Sequence, residues 1–144
     1  MKSKGSRHHT REEVMKRLFK LSFHDHLTTE HLLEDLEEGL RESENSYLTR
    51  VISSYMDHAQ EVDQAIEKSS TGWKFHRISK VDLAILRLAT TELFYLEDIP
   101  TEVSVNEAME LSKEYSTEDA YSFINGVLGN IITERSWVAW ASLS

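Results

Sequence analysis

Apolar side chains recur along this chain in steps of three and four, the spacing that gathers them on one face of an α-helix. Three such patterns follow one another from Trp73 to Ile132. In the first, Val81, Ile85 and Leu88 form one stripe, and Leu86, Ala89, Leu93 and Leu96 form a second beside it. A helix apolar over more than half its circumference is predicted to lie at the centre of the fold. The run Asp98-Ile99-Pro100 stops it, because proline lacks the helical N–H and drives its predecessor out of the α region. Ser104 with Glu107, and Ser116 with Asp119, have capping-box spacing and predict the next two helix starts. Upstream, Thr10 and Glu13 predict a capping box that opens a first helix on Val14, Leu18 and Leu21, flanked by Met15 and Phe19. A second helix is predicted from about Thr29 to Leu40, on Leu32, Leu33 and Leu36. The third pattern is the longest, running through Leu48, Val51, Ile52, Tyr55, Ala59, Val62 and Ile66 to the polar cluster Ser69-Ser70-Thr71-Gly72.

That cluster is the one candidate internal boundary. It divides a bundle over residues 10–70 from another over 73–135, between a basic, flexible arm (1–9) and a tail (136–144). Because the long third helix bridges the halves, the expectation is an all-α fold of about seven helices: two three-helix bundles sharing a continuous core. A chain of 144 residues, 40% hydrophobic, suits one domain, and a single proline with five glycines supplies too few turns for an all-β fold. With no cysteine, disulfides, thiolate catalysis and cysteine zinc sites are excluded. Residues 1–10 are too polar for a signal peptide and no apolar run reaches membrane-spanning length, so a cytoplasmic protein is expected.

Charge changes the picture at one end. Residues 1–20 carry +5 through Lys2, Lys4, Arg7, Arg11, Lys16, Arg17 and Lys20 against Glu12 and Glu13, while the other 124 residues carry −14. A basic arm on an acidic body points to an anionic partner for the arm, phosphates first; a solvated terminus that is basic by chance gives the same count.

Little else carries chemistry. His24-Asp25-His26, His31 and His58 match no zinc spacing, so no metal is expected. Most carboxylates sit away from the apolar stripes, no nucleophile stands out with a base, and the scattered glycines form no phosphate loop. No cofactor and no enzymatic activity are expected. The last helix holds an oddity in Phe123-Ile124-Asn125-Gly126-Val127-Leu128-Gly129, since each mid-helix glycine costs about 1 kcal/mol against alanine. Either a neighbouring helix packs on Gly126, which Gly126→Leu would then overpack, or another backbone or ligand approaches there. Asn125 lies off the apolar stripe beside Phe123, a pairing suited to base stacking plus an amide hydrogen bond.

The blocks VDLAILRLA (81–89), Glu92-Leu93, Asp98-Ile99-Pro100, VNEAMELSK (105–113) and FINGVL (123–128), in this order and spacing, resemble the NusB transcription antitermination factor family. The close match spans about the last half of the chain; the first helix is similar more loosely, through its basic start and Leu18-Phe19. The resemblance implies two three-helix bundles that bind boxA-type RNA with a NusE-type ribosomal protein of the small subunit. It also implies a place in the complex that makes RNA polymerase resist termination on ribosomal RNA operons, as a monomer or a homodimer. Carried over, the RNA surface would comprise Lys2, Lys4, Arg7, Arg11, Phe19, Arg87, Asp119, Phe123 and Asn125, and Asp82 would face the protein partner. This chain departs from the pattern in a thinned N-terminal arginine run, in Phe19 where tyrosine is common, and in a tail after Arg135 unlike the family. That tail is either an extension of the last helix packing Trp137 and Trp140 or not native. Two other classes compete: a protein-only helical adaptor, and an RNA-presenting module like those fused to RNA methyltransferases.

Overall fold

The computed structural model describes the backbone of residues 6–34, 42–72 and 74–143, and the side chains of 7–34, 42–72 and 74–135. Among these residues there are seven α-helices, one 3-10 turn and no strand: α1 (Ser6–Leu21), α2 (Thr29–Leu33), α3 (Glu42–Asp57), α4 (Ala59–Ser69), the turn Phe75–Arg77, α5 (Lys80–Tyr95), α6 (Thr101–Tyr115) and α7 (Glu118–Leu143). The second helix, expected to run to about Leu40, ends at Leu33 with Glu34 extended (φ −69°, ψ 156°). Lys2, Lys4, Trp73, residues 35–40 of that expectation and the side chains of Trp137 and Trp140 lie outside the described residues.

The apolar circumference of α5 decides the architecture. Every residue from Asp82 to Glu92 is buried, and α5 touches α1, α3, α4, α6 and α7. Its start is set by Ser79, whose hydroxyl accepts the Asp82 N–H, and its end by the proline that then caps α6. One core results: Val14 and Leu18 of α1, Leu48 and Ile52 of α3, Ile66 of α4, Ile85 of α5, Leu111 of α6 and Leu128 of α7 all belong to it.

The long third pattern is two helices. At His58 (φ −128°, ψ 28°) the backbone leaves the α region, and its N–H is shared between the Ser54 and Tyr55 carbonyls at 3.0 and 3.1 Å. The His58 ring stacks on Tyr95, 4.1 Å between centroids. The break lets α3 lie on α1 and α5 while α4 lies on α5 and α7. It falls inside the seven-residue step from Tyr55 to Val62, both buried, so the apolar register passes through it unbroken and gives no sign of it.

All three predicted capping boxes are also corrected, and for one reason. Thr10 lies inside α1, its hydroxyl donating to Glu44 Oε1 at 3.1 Å; Ser104 lies inside α6, donating to Glu92 Oε1 at 2.7 Å. Ser116 donates to Asp82 Oδ1 at 2.6 Å, and its neighbour Thr117 accepts the Ala120 N–H that opens α7. Each hydroxyl answers a buried or nearly buried carboxylate, a tertiary demand that local spacing does not reveal.

Candidate nucleic-acid interface

The first turns of α1 carry the cations singled out by charge, and the fold consumes the strongest of them. Arg11 is 4% exposed, with its guanidinium on Glu92 at 2.8 and 3.2 Å. Glu92 also accepts from the Tyr47 hydroxyl and from Ser104, so one buried carboxylate ties α1, α3, α5 and α6 together. Burial, then the Glu92 charge, holds the Tyr47 phenol protonated far above its ordinary range, so that it donates. Desolvation pulls the Arg11 pKa down, but the Glu92 bond and neighbouring negative charge outweigh it and the net shift is upward. The expectation of Arg11 as a solvent-facing phosphate contact is thereby corrected. Among the described residues most carboxylates do sit away from the core, with Glu44, Asp82 and Glu92 as buried exceptions. Arg7 donates to Glu44 at 2.8 Å with its side chain 40% exposed, and its guanidinium lies over the Tyr47 ring. Arg7 keeps an accessible side; Arg11 does not.

His8 takes no part in a basic surface either. Buried between α1 and α6, it has Nδ1 2.8 Å from Glu107 and Nε2 2.8 Å from Glu114, with Glu12 at 3.8 Å. His8, Glu12 and Glu114 offer ligand atoms within 4.8 Å of one another, yet a carboxylate at each ring nitrogen is the arrangement an imidazolium asks for. Desolvation works to lower its pKa, but the bonds to Glu107 and Glu114 win and the net shift is upward. With the folded pKa above the unfolded value, the clamp's stabilisation is complete below about pH 6.5 and is lost as pH rises through the folded pKa. Urea midpoints of the parent and His8→Gln should therefore differ most near about pH 5.5, the gap closing as pH rises through the raised folded pKa.

A basic and aromatic surface does exist, at the junction of α4 and α5. Lys74, His76, Arg77 and Lys80 are exposed on the 3-10 turn and the start of α5. Phe23, 55% exposed, lies under the Lys80 ammonium at 5.4 Å and packs edge-on against Phe19 at 5.0 Å. The turn separates two hollows. A cleft of about 420 Å³ is lined by Ser22, Asp25, Tyr55, Phe75, His76, Lys80 and Arg87 among others; a second of about 230 Å³ is lined by Arg77, Asp82, Asp119 and Phe123. Ile78 walls both.

These hollows sort the residues named from sequence. Asp119 and Phe123, one helical turn apart, meet in the second with Asp82, which is 7% exposed and accepts from Ser116. Arg87 lines the first, held by Asp63 through paired 3.0 Å bonds, so its charge is largely cancelled. Phe19 reaches the same side through Phe23. Arg7 is about 18 Å of helix away from Phe19. Asn125 is exposed but two positions from Phe123, on another side of α7, so the expected stacking and amide pair does not form. The cations of the turn were missed; their signal was a run of Lys74, His76, Arg77 and Lys80 interleaved with Phe75.

Gly126 and Gly129 are exposed, and a Cβ built at either meets nothing within 4 Å. Among the described residues no helix packs closely on Gly126, so the expected helix contact there is overturned and the Cβ of Gly126→Leu meets nothing to overpack. Gly126→Ala should instead raise stability by about 0.5–1 kcal/mol through helix propensity, read as a higher urea midpoint at constant slope.

Fold and surface together define an all-helical protein packed around one central helix, with exposed cations and aromatics around paired hollows. Comparison with known proteins makes this specific. Residues 8–133 match the model of the NusB family. A transcription antitermination protein NusB of Natranaerobius thermophilus is 41% identical over 133 residues, covering 90% of this chain and 96% of that one. The solved T. maritima NusB superposes with a TM-score of 0.82 at 35% identity, covering 93% of this chain and 94% of that one. Antitermination factor NusB solved with NusE and double-stranded RNA gives 0.77 at 23% identity over 89% and 96%, a likeness of fold. The chain belongs to the NusB family.

Proposed function

We propose that this chain is a transcription antitermination factor that binds boxA-type RNA together with a NusE-type small-subunit ribosomal protein. It would do so within an RNA polymerase antitermination complex acting on ribosomal RNA operons. The observation that carries the reading is the exposed cation and aromatic surface of Phe23, Lys74, Arg77 and Lys80 beside Phe123, on a body whose residues 21–144 carry −14. On an acidic protein, such a surface favours a polyanion with unstacked bases. Lys2, Lys4 and the open side of Arg7 would add phosphate contacts, Phe19 and Phe123 stacking, and Asp119 a hydrogen-bond acceptor. Asn125 would meet the strand only if it crosses the outer face of α7. Arg11 and Arg87 would position neighbouring groups rather than touch phosphate. The protein partner would seat on the C-terminal bundle near Asp82. One specific observation favours the adaptor reading: Arg7, His8 and Arg11 are all ion-paired within the fold.

Anisotropy titration of a short labelled boxA-type RNA against a scrambled strand, with and without the NusE-type protein, separates the readings. Antitermination predicts preference for the boxA-type strand, increased by the partner. Equal, weak binding of both strands alongside tight partner binding would leave a protein adaptor.

A further inference from the structure

The larger cleft, between the end of α1, the 3-10 turn and α5, is chemically unlike a phosphate site. Its one internal cation, Arg87, is neutralised by Asp63 and lies over the rings of Tyr55 and Phe75 at 5.2 and 5.7 Å. Asp25 adds a carboxylate at the solvent edge, which repels phosphate further. The floor is apolar, from Leu21, Leu27, Met56 and Leu83, with the Phe75 ring against it. A volume of about 420 Å³ with apolar walls and a few polar groups suits a neutral, flat heterocycle with hydrogen-bonding edges. Charge for the adjoining backbone lies outside, on exposed His76 and Lys80, and exposed Phe23 offers a second ring beside them.

We propose that this cleft receives one unstacked nucleobase of the bound RNA strand, with Asp25 accepting from an exocyclic amino group and Lys80 meeting the adjacent phosphate. Single-stranded RNA is read in this way, by splaying a base onto aromatic side chains and bonding its edge. A carboxylate acceptor favours amino-bearing bases over uracil. The inference rests on the RNA reading above and adds to it a site of defined chemistry.

The test is an abasic scan. A short boxA-type RNA and a set carrying one abasic nucleotide at each position are titrated against the full chain by anisotropy, with the NusE-type protein present throughout. One position should lose affinity by about ten- to a hundredfold, the worth of a stacked base. Ala59→Trp adds bulk to the cleft wall from α4 and leaves the polar lining residues themselves unsubstituted. It should weaken the intact strand by a similar factor and abolish the extra penalty at that position, with its circular dichroism unchanged. Asp25→Ala, at an exposed position that folding does not need, should erase the preference for an amino-bearing base there. An even abasic profile, or a penalty that persists undiminished in both variants, overturns the base pocket while leaving RNA binding intact. If the parent binds no RNA, the antitermination reading itself fails. Should Ala59→Trp spare RNA binding and abolish capture of the NusE-type protein, the cleft belongs to the protein partner and the proposal is wrong.

Discussion

Glu92→Ala is expected to destabilise the protein by about 3–5 kcal/mol, lowering the melting temperature by on the order of 10 °C. Glu92 is 1% exposed and accepts from Arg11, Tyr47 and Ser104. Its loss leaves the Arg11 guanidinium, 4% exposed, with no hydrogen-bonded carboxylate and only the looser 3.8 Å approach of Glu107 to offset its desolvation. The hydroxyls of Tyr47 and Ser104 lose their acceptor as well. Attraction between two buried charges largely offsets their desolvation, so removing both costs much less than removing one. Arg11→Met combined with Glu92→Leu should therefore be more stable than Glu92→Ala alone. Urea denaturation of the three proteins measures this, and a double variant no better than the single would show that the pair itself, rather than an orphaned charge, carries the stability.

Phe123→Ala should weaken RNA binding by about 1–3 kcal/mol, roughly five- to 150-fold, while leaving the salt dependence nearly unchanged. The ring is half-buried, packed on the core, and lines the smaller hollow with Arg77 and Asp119, so truncation removes a stacking face and no charge. Replacing Arg77 and Lys80 by alanine should do the reverse. Every cation withdrawn from a phosphate flattens the slope of log affinity against log salt by about 0.7 for a single strand. Arg11→Ala should destabilise the fold instead, because its charge is spent on Glu92. Binding isotherms at four or more salt concentrations distinguish these outcomes. Unchanged affinity and slope in the Arg77/Lys80 variant would remove the turn from the interface.

Much of the architecture was legible. Helix identity follows from 3.6-residue periodicity, which is local, and the central place of α5 follows from apolar side chains over more than half its circumference, although the burial of its polar residues Asp82, Arg87, Thr90, Thr91 and Glu92 does not. What misled was also local. Hydroxyl and carboxylate three residues apart predicted caps at Thr10, Ser104 and Ser116, but those hydroxyls point into Glu44, Glu92 and Asp82, none of them near in sequence. The break at His58 escaped because it preserves apolar register.

The site divides the same way. Which residue types were present, a net-basic start, an acidic body, exposed-type cations around Phe75 and a match to NusB blocks, belonged to the sequence alone. Which of them face solvent did not. Arg11 and Lys80 carry the same formal charge, yet only folding brings Glu92 within 2.8 Å of one and leaves the other over an exposed ring. Charge and periodicity are properties of a residue and its near neighbours. Burial and ion pairing depend on groups tens of residues away, so only the tertiary structure decided which cations remain for a partner.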